Sequence, residues 1–86
     1  MACYSVAVKK SAQKTLLGLP APIVQNITRI IDSLIENPKP NGSKKLTGSD
    51  NAYRIRSGDY RIIYTVFNTE LIVEVIKIGH RKDVYR

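Results

Sequence analysis

Hydrophobic residues recur at helical spacing in the first half of the chain and at strand spacing in the second half. Residues 20–36 carry one broad apolar stripe of an amphipathic helix. The stripe consists of Ile23, Ile27, Ile30, Ile31, Leu34 and Ile35. Residues 9–17, closed by Gly18, predict a shorter helix before it, so the two helices form a hairpin. Residues 3–8 predict a short opening strand, in which Cys3 is expected to be a small core residue.

From Ala52 onward, apolar and polar residues alternate with the period of a β-strand. Residues 53–56, 59–67 and 71–78 predict three strands, joined by turns at Ser57-Gly58 and Asn68-Thr69. Residues 39–45 predict a polar loop that brings Lys44 and Lys45 to the sheet. The predicted fold class is α+β: a short N-terminal strand, a helical hairpin and an antiparallel three-stranded meander, with the helices packed on one face of the sheet. Residues 1–86 are expected to form a single domain.

The predicted strand register gathers arginines on the sheet face that points away from the helices. With Ser57-Gly58 as the hairpin tip, Arg54 lies opposite Arg61, and Arg56 shares their face. Like charges directly across a ladder are destabilising. We therefore expect this face to bind an anion between its guanidinium groups, and the alternative is an ordinary solvated surface.

Composition narrows the function class without deciding it. The 86 residues carry a net charge of +7, which suits either nucleic acid or an acidic protein as a partner. A single cysteine, no leader-like N-terminus and no apolar stretch of bilayer length predict a cytoplasmic protein with no membrane partner. One histidine and one cysteine cannot form a zinc site, and the acidic residues are scattered. The sequence therefore predicts neither a metal site nor a cofactor.

The C-terminal segment supplies side chains suited to RNA. It contains His80, Arg81, Lys82, Tyr85 and Arg86 directly after the last predicted strand. Arginine and lysine bind phosphate, histidine can move a proton near neutral pH, and tyrosine can stack on a base. For His80 the alternative is a strand-end residue that only caps or faces solvent. For Tyr85 it is an aromatic residue packed against the sheet. Lys44, Lys45, Lys82 and Arg86 are candidates for contacts with an RNA backbone.

Four segments together resemble the RelE/ParE toxin superfamily, in particular its RelE-like branch. They are Lys44-Lys45-Leu46-Thr47-Gly48, Tyr53-Arg54-Ile55-Arg56, Gly58-Asp59-Tyr60-Arg61-Ile62-Ile63-Tyr64 and Gly79-His80-Arg81-Lys82-Asp83-Val84-Tyr85. The resemblance implies the toxin of a type II toxin–antitoxin pair that cuts mRNA codons in the ribosomal A site (30S subunit). It also implies an acidic RelB-like antitoxin and operator DNA bound only through the toxin–antitoxin complex.

The resemblance further implies a catalytic set that cleaves RNA without metal by attack of the 2′-hydroxyl. Arg61 matches the transition-state arginine, Arg81 the residue that protonates the leaving oxygen, and Tyr85 the stacking tyrosine. Arg54 and Arg56 stand where well-known members have lysines. Because arginine keeps its proton, we expect both to position the phosphate, and His80 is the candidate proton acceptor. The alternatives are a ParE-like gyrase inhibitor and a non-catalytic basic binding module.

Overall fold

The computed structural model describes residues 3–84 and contains five strands and three helices in that range. The elements are, in chain order, β1 (Ser5–Val8), α1 (Lys10–Leu17), α2 (Ala21–Ser33), β2 (Lys44–Lys45), β3 (Ala52–Ser57), β4 (Tyr60–Phe67), β5 (Ile72–His80) and α3 (Arg81–Val84). The strands form one sheet in the order β1-β5-β4-β3-β2. All neighbouring pairs are antiparallel except β1 with β5.

The predicted α+β class and the antiparallel meander of β3, β4 and β5 are confirmed. The structure adds that β1 joins β5 in parallel, and that Lys44 and Lys45 form the short edge strand β2. The helix α3 was not predicted, because its four residues lie in a charged segment that lacks apolar periodicity. Cys3 is exposed, so its predicted place in the core is wrong: the strand begins only at Ser5.

Local signals explain where the two longer helices begin and end. The backbone N–H of Gly18 caps α1 by donating to Leu16 and Thr15. Pro20 is the N-cap of α2 and Pro22 lies in its first turn, where the fixed φ and missing N–H of proline suit a helix start. The helix ends at Ser33, so Ile35 at the end of the predicted stripe is 36% exposed. Within residues 3–84 no helix is long and apolar enough to cross a membrane.

The core lies between the two longer helices and one face of the sheet, here called the helix-side face. The helices contribute Ala12, Ile27 and Ile31, and Leu34 follows directly after α2. The sheet contributes Ile55, Ile62, Tyr64, Val66, Val73, Val75 and Ile78. The register between β4 and β5 shifts between Ile63 and Tyr64 of β4, so β5 contains a β-bulge. The bulge determines which residues of β5 face the core. Val75 and Ile78 both face the core although regular alternation would place them on opposite faces.

The predicted register of the β3–β4 hairpin is wrong by one turn position. Ser57 pairs with Tyr60, so the tip is Gly58-Asp59 rather than Ser57-Gly58. The physical reason is that Gly58 has a φ of +59°, which a hairpin turn of type II′ requires at its first central position. The change moves the pairing by two residues, an even number, so every side chain keeps its predicted face. It changes the partner of Arg61 from Arg54 to Arg56.

The sequence predicts that the last strand begins at residue 71, and that boundary is wrong by one residue. The strand begins at Ile72, and Leu71 lies in the preceding turn with a φ of +55° and 38% exposure. Its carbonyl accepts a hydrogen bond of 2.8 Å from the N–H of Ser5, so this turn also aligns β1 with β5.

A buried tyrosine fastens the loop that follows α2 to the sheet. Tyr64 is fully buried, and its hydroxyl donates a 2.8 Å hydrogen bond to the carbonyl of Pro38. Its ring stacks on Tyr53 at a centroid distance of 5.9 Å, and the ammonium of Lys39 lies 5.5 Å from the centroid of Tyr53. The loop thereby reaches β2 along a fixed path.

Replacing Tyr64 with phenylalanine is expected to lower the free energy of unfolding by about 1–3 kcal/mol, because the Pro38 carbonyl would lose its donor. Urea denaturation of both proteins measures the change. The matched control is Tyr4→Phe, since the Tyr4 hydroxyl donates to Asn68 at the surface and water can replace it. Equal losses in the two variants would contradict a special role for the buried bond.

The buried phenol also predicts a pH dependence of stability. Burial raises the pKa of Tyr64 above its ordinary value of 10.0, and a hydrogen bond with Ser43 opposes this more weakly. The unfolded chain therefore releases this proton at lower pH than the folded chain, so stability is complete below about pH 10 and falls above it. Between about pH 9 and pH 11 the wild type should lose more stability than Tyr64→Phe. Parallel curves would contradict this expectation.

Candidate functional site

Four cationic residues share one face of the sheet, on the side opposite to the core. Arg56 pairs with Arg61 between β3 and β4, and Lys44 pairs with Arg54 between β2 and β3. Side chains at directly paired positions lie on the same face with their Cβ atoms about 5 Å apart. Arg54 and Arg56 are two residues apart in β3 and so share that face too. We call this surface, defined by Lys44, Arg54, Arg56 and Arg61, the arginine face.

The arginine face opens into a concave site with a volume of about 540 Å³. The site extends around the edge of β3, where α2 and the loop before β2 form its wall. Its lining residues are Ile30, Asn41, Gly42, Lys44, Arg54, Ile55, Arg56 and Arg61. Four cations around one concavity create a strongly positive potential, which favours a bound oxyanion.

Arg61 is the most constrained of these cations. It is only 8% exposed, and its Nη1 group donates 3.1 Å hydrogen bonds to the carbonyls of Gly58 and Tyr60. A guanidinium group has five N–H donors, so these two bonds leave those on Nε and Nη2 for other partners. On its other side Arg61 pairs with Gly79, which has no side chain to fill the space beside the guanidinium. A buried, fixed and permanently charged group of this kind is suited to an anion.

The hairpin turn also holds Arg81, at the first position of α3. The backbone N–H of Arg81 donates a 2.7 Å hydrogen bond to the carbonyl of Asp59. Its Nε lies 3.8 Å from a carboxylate oxygen of Asp59, and both side chains are more than half exposed, so this ion pair adds little stability. Gly58 and Asp59 thus contact Arg61 and Arg81 respectively, and the turn brings these two arginines to the same end of the sheet.

The structure does not bring His80 together with the arginine face. His80 pairs with Tyr60, and their rings meet edge to face at a centroid distance of 5.5 Å and an angle of 79°. Because Tyr60 alternates in β4 with Arg61, both rings lie on the helix-side face. The Nδ1 atom of His80 accepts a hydrogen bond of 3.2 Å from the backbone N–H of Lys82.

The remaining candidates from the sequence have different positions. Lys45 pairs with Tyr53, so it lies on the opposite side of β2 from Lys44. Lys82 is exposed on α3. Tyr85 and Arg86 lie outside the described residues.

Sequence reasoning gave no role to three residues that shape the site. Asp59 holds Arg81, while Asn41 and Gly42 line the concavity from the loop before β2. The position of Asp59 could have been predicted from Gly58, since a type II′ turn with glycine at its first central position puts Asp59 at the hairpin tip, beside the end of β5. Nothing in the local sequence indicates which part of the polar loop approaches the sheet. Among residues 3–84 no group of three or more histidine, cysteine or acidic residues could hold a metal ion.

Known proteins match this chain over nearly its whole length. A family model described as the ParE toxin of type II toxin–antitoxin systems, parDE, matches residues 6–85. The putative toxin RelE1 of Methanocaldococcus jannaschii is 33% identical over 86 residues, with 96% of each chain covered. The mRNA interferase toxin RelE of Escherichia coli is 28% identical, with 95% of this chain and 90% of the relative covered.

Solved structures agree with the sequence matches. The archaeal RelE–RelB complex from Pyrococcus horikoshii contains a chain that superposes with a TM-score of 0.84 at 30% identity, covering 98% of this chain and 100% of that one. The isolated RelE toxin of Escherichia coli gives a TM-score of 0.80 at 26% identity, with coverages of 95% and 90%. The family-model match over residues 6–85 includes both longer helices and the arginine-bearing hairpin. This chain therefore belongs to the RelE/ParE superfamily of toxins from type II toxin–antitoxin systems.

Proposed function

We propose that this protein is a toxin that cuts mRNA in the ribosomal A site as a metal-independent endoribonuclease. One observation carries the proposal: Arg56 and Arg61 face each other across β3 and β4 in a concave site that also contains Arg54 and Lys44. Such a pair is unfavourable without an anion between its members. The relative in Escherichia coli that is named an mRNA interferase supports RNA as the source of that anion.

The proposed reaction is an internal transfer at one phosphodiester. The 2′-oxygen of a ribose loses its proton and bonds to the adjacent phosphorus, and the bond from phosphorus to the 5′-oxygen of the next nucleotide breaks. The products are a 2′,3′-cyclic phosphate and a 5′-hydroxyl, so the proton lost at one oxygen is balanced by a proton gained at the other. Negative charge builds on the non-bridging oxygens in between, where fixed hydrogen-bond donors lower the barrier most.

The arginines divide this work by their positions. Arg61 is held rigidly by two carbonyls, so we assign it to the developing charge on the phosphate. Arg56 faces it from β3. Arg54 lies two residues before Arg56 in the same strand, and we assign it to a second phosphate contact. Arg81, more exposed at the start of α3, is assigned to the leaving 5′-oxygen. Tyr85 is proposed to stack on a base next to the cut.

Other basic residues are assigned to the RNA chain outside the cut site, and the basic surface as a whole to protein partners. Lys44, Lys45, Lys82 and Arg86 are proposed to contact neighbouring phosphates, and the ribosomal 30S subunit presents the codon in the cytoplasm. Several structural relatives were solved with a RelB antitoxin. We infer an acidic RelB-like partner for this chain, because a protein with a net charge of +7 attracts a negatively charged partner. Operator DNA would be bound only through that complex.

A second candidate is inhibition of DNA gyrase, because the family model that matches residues 6–85 is that of the ParE toxin. That activity would depend on binding a protein and would not need an arginine pair aimed at a phosphate. A basic module that binds RNA without cutting it is the third candidate. Primer extension on translated mRNA and a DNA supercoiling assay distinguish the three, since only the first candidate produces A-site breaks.

Replacing Arg61 with lysine is expected to slow A-site cleavage by about 10²–10³-fold, because an ammonium that keeps both carbonyl bonds has one donor left for the phosphate, whereas the guanidinium has three. Primer extension on a translated message measures the rate, and thermal unfolding checks that the fold survives. The matched control is Arg29→Lys on the exposed side of α2, which should cut like the wild type. Full activity of Arg61→Lys would exclude the assigned role.

Metal independence is tested at the phosphate itself, since ribosomes need Mg²⁺ for their own structure. Two messages are prepared, each with sulfur in place of one of the two non-bridging oxygens at the cut site. Both are translated in Mg²⁺, with or without added Mn²⁺. If arginines alone stabilise the phosphate, the sulfur-substituted messages should be cut at the same reduced rate in both conditions. Specific rescue by Mn²⁺ would show that a metal ion contacts the reacting phosphate and would overturn this part of the proposal.

A further inference from the structure

We propose that His80 is a positioning residue, which sets the place of Arg81 by capping α3. This inference rests on the proposed function, because it concerns the arginine assigned there to the leaving oxygen. It replaces the expectation that His80 itself accepts the proton of the attacking 2′-hydroxyl.

The hydrogen bonds at the end of β5 have the pattern of a helix cap. His80 is the last residue of β5, and Arg81 and Lys82 are the first two residues of α3. An N-cap side chain accepts a hydrogen bond from the second or third backbone N–H of its helix. The Nδ1 atom of His80 does this with the N–H of Lys82 at 3.2 Å. The N–H of Arg81 donates to the Asp59 carbonyl, so both leading donors of the short helix are satisfied.

The ring of His80 lies on the side of the sheet opposite to the arginine face. It meets the ring of Tyr60 edge to face, and Tyr60 packs against the core. Gly79, the residue before His80 in β5, is the one that pairs with Arg61. To reach a 2′-hydroxyl beside Arg56 and Arg61, the imidazole would have to leave Tyr60 and cross to the other face.

The chemistry of the imidazole points the same way. Neutral histidine has one nitrogen that accepts a hydrogen bond and one that donates. Acceptance at Nδ1 places the hydrogen on Nε2, so the lone pair that a general base needs is already used by Lys82. In this state His80 can hold the backbone of α3, and it cannot also take a proton from RNA.

The consequence for catalysis is geometric. Arg81 begins a helix of four residues, and so short a helix has little stability of its own. The bond from Lys82 to His80 and the bond from Arg81 to Asp59 fix its first turn against the hairpin that also carries Arg61. Small displacements of a group aimed at a reacting atom can cost about 10²-fold in rate. Loss of the cap should therefore slow RNA cleavage, because Arg81 would no longer be held in position.

The decisive comparison is between His80→Ala and His80→Asn. Asparagine is among the best cap residues, and it cannot act as a general base near neutral pH. We expect His80→Ala to slow A-site cleavage about 10–100-fold, and His80→Asn to stay within about threefold of the wild type. Equal large losses in both variants would favour proton transfer by His80, and wild-type rates in both would show that the cap does not matter. Either result overturns the inference.

A double-mutant cycle tests whether His80 acts through Arg81. In an Arg81→Ala background, His80→Ala should cause no further loss beyond about twofold, because the residue it positions is gone. Full additivity of the two losses would overturn the inference.

Hydrogen exchange of the Lys82 amide gives a readout that does not depend on RNA cleavage. The amide should be protected in the wild type and in His80→Asn, and should exchange at least about tenfold faster in His80→Ala. If the wild type cuts no mRNA while this pattern holds, the proposed function fails and the cap stands. If the wild type cuts mRNA and the amide exchanges equally fast in all three proteins, the cap fails alone.

Discussion

The alternation of side chains along β4 is the constraint on which the site depends. Ile62, Tyr64 and Val66 are almost completely buried on the helix-side face, and Arg61 occupies the other face because it lies one residue before Ile62. Burying each large apolar side chain contributes about 1.5–3 kcal/mol, so the core fixes the phase of the strand far more strongly than the repulsion between Arg56 and Arg61 can disturb it. The apolar layer thus holds two guanidinium groups where they would not otherwise stay.

The hairpin tip then relates this pair to the end of the chain. Gly58 and Asp59 are only two residues, yet their carbonyls accept hydrogen bonds from the side chain of Arg61 and the backbone of Arg81. Arg61 and Arg81, which are 20 positions apart in the chain, are in this way both bound to one two-residue turn. A rigid element of this kind holds a site more precisely than a mobile loop does.

The sequence predicts the two longer helices, the meander and the faces of β3 and β4 correctly, because hydrophobic periodicity reports burial directly. It does not predict the pairing of Arg56 with Arg61, because a two-residue shift of the hairpin leaves the periodicity unchanged; only the φ of Gly58 distinguishes the two registers. The place of His80 is missed for a related reason. Its face depends on an extra residue in β5, which strict alternation along the strand cannot reveal. Contacts of the loop before β2 depend on a buried tyrosine distant in sequence.

The irregular strand β5 has one more effect on the surroundings of Arg61. If β5 continued in phase from the pair Tyr64–Val75, Lys77 would oppose Ile62 and its ammonium group would enter the apolar layer. The branched side chain of Ile78 would then stand next to Arg61. The one extra residue in β5 changes both of these neighbours. Ile78 packs in the core opposite Ile62, and Gly79, which has no side chain, lies next to Arg61. The open space beside the Arg61 guanidinium thus originates in a β-bulge of the neighbouring strand.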